Sequence, residues 1–167
     1  MSNDTTANDM NIVSDADWLD QIHVVSADSR RGADVAHEMS VPAGAIVNAI
    51  ACSVNEEPVL VLMAGDMACD AEHVARALNR VGAQVTRLKD EALTALTGKD
   101  ADKLFPIEWA GEVPTIMDAS LKRFDRLYSR AGARNCLIET SYDELKTLTR
   151  AIVSYALAPT DWFVSKD

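Results

Sequence analysis

Two short stretches of the chain place polar side chains at the ends of apolar segments. Val113 to Leu121 is an apolar run that contains a single carboxylate, Asp118. Gly132 to Glu139 starts as a glycine turn, carries Arg134 and Asn135, and continues as a second apolar segment. Each stretch predicts a short β-strand with polar groups at one end. Two strand ends that present polar groups side by side can form a pocket, so we expect a binding site here.

Helical and strand patterns alternate along the rest of the chain. The predicted strands are Ala45–Val54, Pro58–Ala64 and Val85–Leu88, and the predicted helices are Gly32–Met39, Ala71–Arg80, Glu91–Leu96 and Ser141–Tyr155. Asp70 is suited to cap the second helix, and Ser141 with Glu144 forms a capping box for the last one. Asn55-Glu56-Glu57 predicts a hairpin turn between the first two strands. Because helices interleave with hairpins and short strands, the sequence predicts an α+β fold.

Several of these segments resemble the YbaK/prolyl-tRNA synthetase-associated editing domain family, which hydrolyses amino acids wrongly attached to tRNA. The motifs are Val59 to Asp66 (an apolar strand that ends in a Gly-Asp turn), Val113 to Leu121, Gly132 to Glu139, and the helix start at Ser141. Each motif is short, but their order and spacing hold from about Val24 to Leu148. The resemblance implies a mixed, partly closed, barrel-like sheet with helices packed around it.

The family also has a functional lysine and a glycine-rich loop, and both differ in this chain. Ile46-Val47-Asn48 stands where the family has Ile-Val-Lys, so Asn48 takes the lysine position. In the loop, Gly98 and Pro106 keep the family spacing, whereas Asp102, Lys103 and Glu108 replace the other three glycines. Glycine allows a backbone to approach a ligand closely, and backbone amides can stabilise an oxyanion. These substitutions therefore predict hydrolysis that is weak or lost.

The resemblance also implies the residues of the site. The catalytic positions are Asn48 and Asp118, and the substrate-binding positions are Gly98, Pro106, Gly132, Arg134 and Asn135. Asp118 has a second interpretation as the N-cap of a helix that starts near Ala119. Arg134 and Asn135 could equally serve the turn itself.

The chain is acidic, with a formal net charge of −10, which opposes tight binding of a polyanion such as tRNA. One segment is locally basic: Lys122, Arg123, Arg126, Arg130 and Arg134 lie close together against a single Asp125. This basic cluster is either a solvated helix face or a set of phosphate or partner contacts.

Other patterns bound the function class. The three cysteines are unpaired in spacing and the three histidines are scattered, so we expect no metal site and no cofactor. There is no signal-peptide pattern and no apolar run of about 20 residues, which predicts a cytoplasmic protein without a membrane contact. We expect residues 1–14 to be a disordered acidic tail, residues 15–158 to be one YbaK-like domain, and residues 159–167 to be a tail that carries Trp162 and Phe163.

Three functions remain open from the sequence. The first, implied by the resemblance, is an aminoacyl-tRNA editing protein that hydrolyses mis-attached amino acids in trans and binds tRNA weakly. The main alternative is a non-catalytic regulatory or binding module for a small molecule, an aminoacyl group or a protein partner. The third is a purely structural interaction module, which the acidic composition and the aromatic tail would suit.

Overall fold

The computed structural model describes residues 22–25, 32–67, 70–100, 105–132 and 135–154. Both predicted tails, including Trp162 and Phe163, lie outside these ranges. The described strands are β1 (Ile22–Val24), β2 (Val47–Val54), β3 (Glu57–Ala64), β4 (Val85–Arg87), β5 (Thr115–Asp118), β6 (Leu127–Arg130), β7 (Cys136–Thr140) and β8 (Ile152–Ser154). The helices are α1 (Gly32–Met39), α2 (Ala71–Ala77), α3 (Asp90–Thr97) and α4 (Tyr142–Thr149), with 3₁₀ turns at Ala43–Ala45 and Ala119–Arg123.

The strands form two sheets, and this overturns the predicted barrel. One sheet has the order β4-β2-β3-β5-β8, and the other has the order β1-β7-β6. Within the described ranges the two sheets are linked by a single isolated bridge between Ile46 and Tyr128. A barrel requires a continuous hydrogen-bonded ladder around its circumference. One bridge does not supply that ladder, so the fold is α+β with a mixed five-stranded sheet and a separate antiparallel sheet.

The β2–β3 hairpin is the centre of the larger sheet. Its two turn residues, Asn55 and Glu56, both have positive φ, as a tight hairpin turn requires. On the other side of β3, strands β5 and β8 add in parallel. Strand β3 is buried along nearly its whole length, which explains why it reads as an uninterrupted apolar run.

The two faces of the five-stranded sheet pack against different elements. Successive residues of a strand point to opposite faces, so Ile50 and Cys52 of β2 face one side, while Val47 and Ala51 face the other. The first side packs with Val74 and Ala75 of α2, and we call it the α2 face. The second side packs in the main core with residues of the 105–113 segment, and we call it the loop face.

Two predicted helices end earlier in the structure. Helix α2 ends at Ala77 rather than Arg80, and α4 ends at Thr149 rather than Tyr155. Arg150 follows α4 in a left-handed conformation and turns the chain into β8, where Ile152 is exposed. The basic cluster is not on a helix face either, because it runs from the second 3₁₀ turn into strand β6.

Candidate functional site

A row of side chains crosses four strands on the α2 face. Asn48 of β2 pairs with Met63 of β3. The parallel register pairs Leu62 with Met117 and, one strand further, Asp118 with Ser154. Because paired residues share a face, Asn48, Met63, Asp118 and Ser154 lie side by side where β2 begins and where β3, β5 and β8 end. We call this set the transverse row. Ligands commonly bind outside the carboxyl ends of parallel strands.

Asp118 is the carboxylate of the row, and only 3% of its surface is exposed. Its Oδ2 accepts a hydrogen bond from the Ser120 amide at 2.8 Å, so the residue is the N-cap of the 3₁₀ turn, as one of its two interpretations expected. Its Oδ1 is also buried and has no hydrogen-bond partner within the described part of the chain. A buried polar oxygen without a partner is uncommon and often marks a functional position.

His73 was missed as a site residue by the sequence analysis. It lies in the first turn of α2, where its amide donates to Asp70 Oδ1 at 2.7 Å, and its ring is directed onto the α2 face. There Nε2 is hydrogen-bonded to Ser154 Oγ. Burial lowers the pKa of His73 below its ordinary value, and the nearby Asp118 carboxylate opposes that shift. One pattern in the sequence could have identified it: His73 follows the capping Asp70 by three residues, and this position lies on the side of the amphipathic helix that faces the core.

The predicted loop residues belong to the opposite face. Phe105, Ile107 and Trp109 are all buried in the main core, and Pro106 lies buried between the first two. A Cβ built on Gly132 would lie 3.8 Å from Phe105 Cδ2, so Gly132 borders the same segment. The structure therefore divides the predicted site, with Asn48 and Asp118 on the α2 face and Pro106 and Gly132 beside the loop face.

The remaining predicted loop positions have local structural roles or are not described. Gly98 has φ of +76° and ends α3 as a left-handed cap, and its amide donates to Thr94 O at 2.7 Å. Glu108 is exposed. Asp102, Lys103 and Arg134 lie outside the described residues. Asn135 ties β1 to the start of β7: its amide nitrogen Nδ2 donates to Val25 O at 3.2 Å, and its own carbonyl accepts from the Val25 amide at 2.9 Å.

Arg123 of the basic cluster is held by an acidic partner. Its Nη2 lies 2.6 Å from Asp66 Oδ1 and its Nη1 lies 3.1 Å from Asp66 Oδ2, which is a bidentate ion pair. Its Nε donates to Ser120 O at 2.9 Å. The guanidinium holds the pKa of Asp66 below its usual value, and Asp66 raises the pKa of Arg123 in return. All three nitrogens of the guanidinium are thus engaged.

The other members of the basic cluster also contact neighbouring groups. Arg126 Nε lies 3.2 Å from Glu139 Oε2, and the other oxygen of Glu139 contacts His23 Nε2 at 2.9 Å. Lys122 Nζ lies 5.3 Å from the centre of the Tyr142 ring, within the range of a cation–π contact. Arg130 also takes part in an interaction. Arg123 and Arg126 are therefore neutralised by carboxylates within the protein.

Comparison with known proteins identifies the family. The sequence profile of the aminoacyl-tRNA editing domain matches residues 27–148, which is well over half of the chain. The chain belongs to the aminoacyl-tRNA editing domain family. The family match spans the β2–β3 hairpin, α2, the 105–113 segment and β5 to α4, so it includes every member of the transverse row except Ser154. No protein among the curated sequences is significantly similar to the chain.

Solved structures share the fold of this editing domain. The chain is similar to a proposed trans-editing enzyme for prolyl-tRNA synthetase, with a TM-score of 0.74 and 19% identity over 94% of this chain and 99% of that one. It is similar to a hypothetical protein, with a TM-score of 0.70 and 21% identity over 82% and 89% of the two chains. It also resembles part of a proposed signal transduction protein from Marinobacter aquaeolei, with a TM-score of 0.52 and 12% identity over 93% of this chain and 30% of the longer one. At these identities the likeness shows the fold alone.

In the part of the editing domain that the structure describes, no helix is long and apolar enough to cross a membrane.

Proposed function

We propose that this chain is an aminoacyl-tRNA editing protein that hydrolyses wrongly attached amino acids from tRNA in trans, at a low rate. Membership of the editing-domain family supports the reaction class. The observation that carries the proposal is the transverse row, in which Asn48 of β2 and Asp118 of β5 share a face at the same edge of the sheet, with β3 between their strands. Adjacent strands lie about 5 Å apart, so two strand steps place these residues roughly 10 Å from each other, a span that an aminoacyl ester can bridge.

The low rate follows from the absence of a positive charge at Asn48, the position where the family has a lysine. Asn48 can donate a hydrogen bond to an ester oxygen, but it carries no charge. A hydrogen bond from a charged group is about twice as strong as a neutral one. The loop face adds a second difference, because Phe105, Ile107 and Trp109 pack into the core beside the positions where the family has glycines. Side chains in this segment restrict how closely a backbone can approach a substrate.

Weak tRNA binding is the second part of the proposal. The net charge of −10 repels a polyanion, and Asp66 and Glu139 already neutralise Arg123 and Arg126. Phosphate contacts by basic side chains normally supply much of the affinity for a nucleic acid. We expect the measured affinity to fall with salt, with a shallow slope because Arg123 and Arg126 are already paired with carboxylates.

A non-catalytic binding role is the second candidate, and the same ion pairs favour it. A protein that does not bind tRNA does not require arginines beside the site that are available to contact phosphates. The similarity to part of a longer protein described as acting in signal transduction is compatible with this role, since the editing fold there is one part of a larger chain. In this case the row would bind an aminoacyl group or another small molecule without cleaving it.

Deacylation of a panel of mischarged tRNAs tests the proposal. If the missing charge limits the rate, Asn48→Lys raises the rate by about tenfold, the effect of roughly 1.4 kcal/mol. Gln84→Lys is the matched control, because it adds the same charge at an exposed position outside the row. Adding Asp102→Gly, Lys103→Gly and Glu108→Gly to Asn48→Lys tests whether loop geometry also limits hydrolysis.

The outcomes separate the two candidate functions. Hydrolysis by the native chain that increases in Asn48→Lys and not in Gln84→Lys supports editing through the row. No hydrolysis by the native chain, by Asn48→Lys or by the combined variant would overturn the proposal and favour the binding role.

A salt titration of tRNA binding gives an independent measurement. Replacing Lys122 or Arg130 by Gln should flatten the slope of log affinity against log salt concentration by roughly 0.7 to 0.9 units for each phosphate contact that is lost.

A further inference from the structure

The α2 face contains a cluster of three buried polar groups, and the proposed function has assigned a role to Asp118 alone among them. His73 and Ser154 are each 8% exposed, and Asp118 is 3% exposed. They come from three different elements, α2, β8 and β5, and so meet only in the folded chain. An apolar face would satisfy packing with α2 equally well, so the presence of three polar groups there requires an explanation.

The three groups are connected. Ser154 Oγ is hydrogen-bonded to His73 Nε2, and Asp118 is the register partner of Ser154 on the neighbouring strand. Asp118 also acts electrostatically on the His73 ring, and its Oδ1 has no hydrogen-bond partner among the described residues. The charged groups that act on His73 are Asp70 and Arg76 from its own helix and Asp118 from the sheet. The cluster thus pairs a hydroxyl with an imidazole beside a carboxylate that has an unused oxygen.

The cluster is continuous with the proposed site. Ser154 and Asp118 are the last two members of the transverse row, and Asn48 at its other end is partly exposed to solvent. Met63 between them is fully buried, so an ester would lie outside the strand ends rather than on the face itself, with Asn48 at one end of the row and Ser154 at the other. Buried side chains with shifted protonation next to a strand-end site are common in catalytic positions.

We propose that Ser154 and His73 form a proton relay for ester hydrolysis in this site, in which Ser154 contacts the attacking water and His73 is the positioning residue that accepts the proton through it. This inference rests on the proposed editing function. Asp118 has the complementary role of stabilising the imidazolium that forms when His73 is protonated.

The relay takes one proton from the attacking water and returns one to the leaving group. The water oxygen attacks the carbonyl carbon of the aminoacyl ester and gives a proton to Ser154 Oγ, while the hydroxyl proton of Ser154 passes to His73 Nε2. The bond between the carbonyl carbon and the ribose oxygen then breaks. The leaving ribose oxygen receives the proton that returns from His73 through Ser154. The products are the free amino acid and tRNA with a free hydroxyl, and the relay regains its starting state.

The pH dependence has a definite sign. The relay requires neutral His73, and burial depresses the pKa of this ring below the ordinary value of about 6.5. Activity is therefore fully present near neutral pH and is lost as the pH falls through the depressed pKa. Since the Asp118 carboxylate raises the pKa of His73, Asp118→Asn should move this acidic limb to still lower pH.

The test is the pH profile of kcat/KM for the full chain on the mischarged tRNA that it cleaves best. We expect His73→Gln and Ser154→Ala each to lower kcat/KM by about 10²- to 10⁴-fold and to remove the acidic limb. The double variant should be no slower than the worse single variant, because residues that act as a unit are not additive. His37→Gln is the control, since His37 is exposed on α1 and should leave both the rate and the profile unchanged.

Asp118→Asn provides a second measurement, because the amide keeps the shape and the cap to Ser120. Its acidic limb, together with the His73 ring titration followed by NMR, should shift to lower pH. The inference is overturned if the native chain hydrolyses its substrate while His73→Gln keeps the rate and profile, or while Asp118→Asn leaves the limb in place. If the native chain cleaves no tRNA of the panel, the proposed function fails, and the relay fails with it.

Discussion

The two ends of the β2–β3 hairpin differ sharply in what surrounds them. One end, where β2 begins and β3 ends, contains Asn48, Met63 and the Gly65-Asp66 turn. Asp66 forms a bidentate ion pair with Arg123, and the buried carboxylate of Asp118 lies on the neighbouring strand β5. At the other end, Asn55 and Glu56 close a tight turn. There the side-chain contacts are exposed: Asn55 Oδ1 accepts from the Gln84 amide, and Glu57 pairs with Arg80.

This difference indicates that the turn end serves the fold, whereas the strand-end region serves both the fold and the proposed function. The turn end needs residues that tolerate positive φ, and its side-chain partners Gln84 and Arg80 are solvent-exposed. The strand-end region brings β2, β3, β5, β8, α2 and a 3₁₀ turn together, which is why polar groups from distant parts of the sequence can meet there. Substitutions at the turn end should therefore change stability alone, and substitutions at the row should change hydrolysis as well.

The largest effect on stability is expected at Gly65. A Cβ at this position would lie 2.4 Å from the carbonyl oxygen of Ala43 and 2.8 Å from that of Ile46, and both contacts are with backbone. Because backbone must move to relieve the overlap, Gly65→Ala should lower the free energy of unfolding by about 1–3 kcal/mol. Chemical denaturation measures this change. Ser53→Ala, near the turn end of the same hairpin, should change stability by no more than about 0.5 kcal/mol, and equal effects would show that the two ends are not different.

The next effect should be a gain in stability at the turn. Glu56 has φ of +72°, a conformation that is unfavourable for a residue with a side chain. Glu56→Gly should raise the free energy of unfolding by about 0.5–1 kcal/mol and leave deacylation unchanged. Asn55→Gly is the matched control, since it loses the 2.9 Å bond to the Gln84 amide and should not stabilise the chain. A change in the deacylation rate of Glu56→Gly would show that the turn end of the hairpin also affects hydrolysis.

The smallest effects should come from the two ion pairs. Both pairs are exposed, so a double-mutant cycle should give about 0.2–1 kcal/mol for each. We expect Asp66–Arg123 to lie at the upper end, because it is bidentate with distances of 2.6 and 3.1 Å, and Glu57–Arg80 to lie at the lower end with one contact of 2.7 Å. The Asp66 contribution should be present above the ordinary aspartate pKa of about 3.9 and lost as the pH falls through its lowered pKa in the folded protein. Equal coupling in both pairs would contradict this ranking.

Local signals in the sequence predicted the local structure well. The hairpin, the helix Gly32–Met39, the Asp70 cap and the delivery of Asp118 at the end of β5 all follow from periodicity and capping, because each depends on residues close in sequence. The family is likewise confirmed. Short periodic segments fix their own geometry when burial agrees with the pattern.

The errors arose where distant contacts decide the outcome. The last helix was extended to Tyr155 because its apolar spacing continues, but the structure pairs Ile152–Ser154 with β5 in the sheet. One of the two interpretations of the basic cluster placed it on a helix face, yet Leu127–Arg130 pairs with β7 as a strand. A strand pairing of this kind can outweigh helical periodicity over three or four residues, since it satisfies backbone groups that a frayed helix end would leave open.

The sequence by itself therefore determined the family, the α+β class and the identity of Asn48 and Asp118 as positions of interest. Only the tertiary structure decided that Asn48 and Asp118 share a face with Ser154 and His73, that Pro106 and Gly132 lie beside the other face, and that Arg123 is held by Asp66. The physical reason is that spacing along a chain fixes which face of its own strand a residue occupies. Which strands then lie next to each other depends on pairing and burial between segments far apart in sequence.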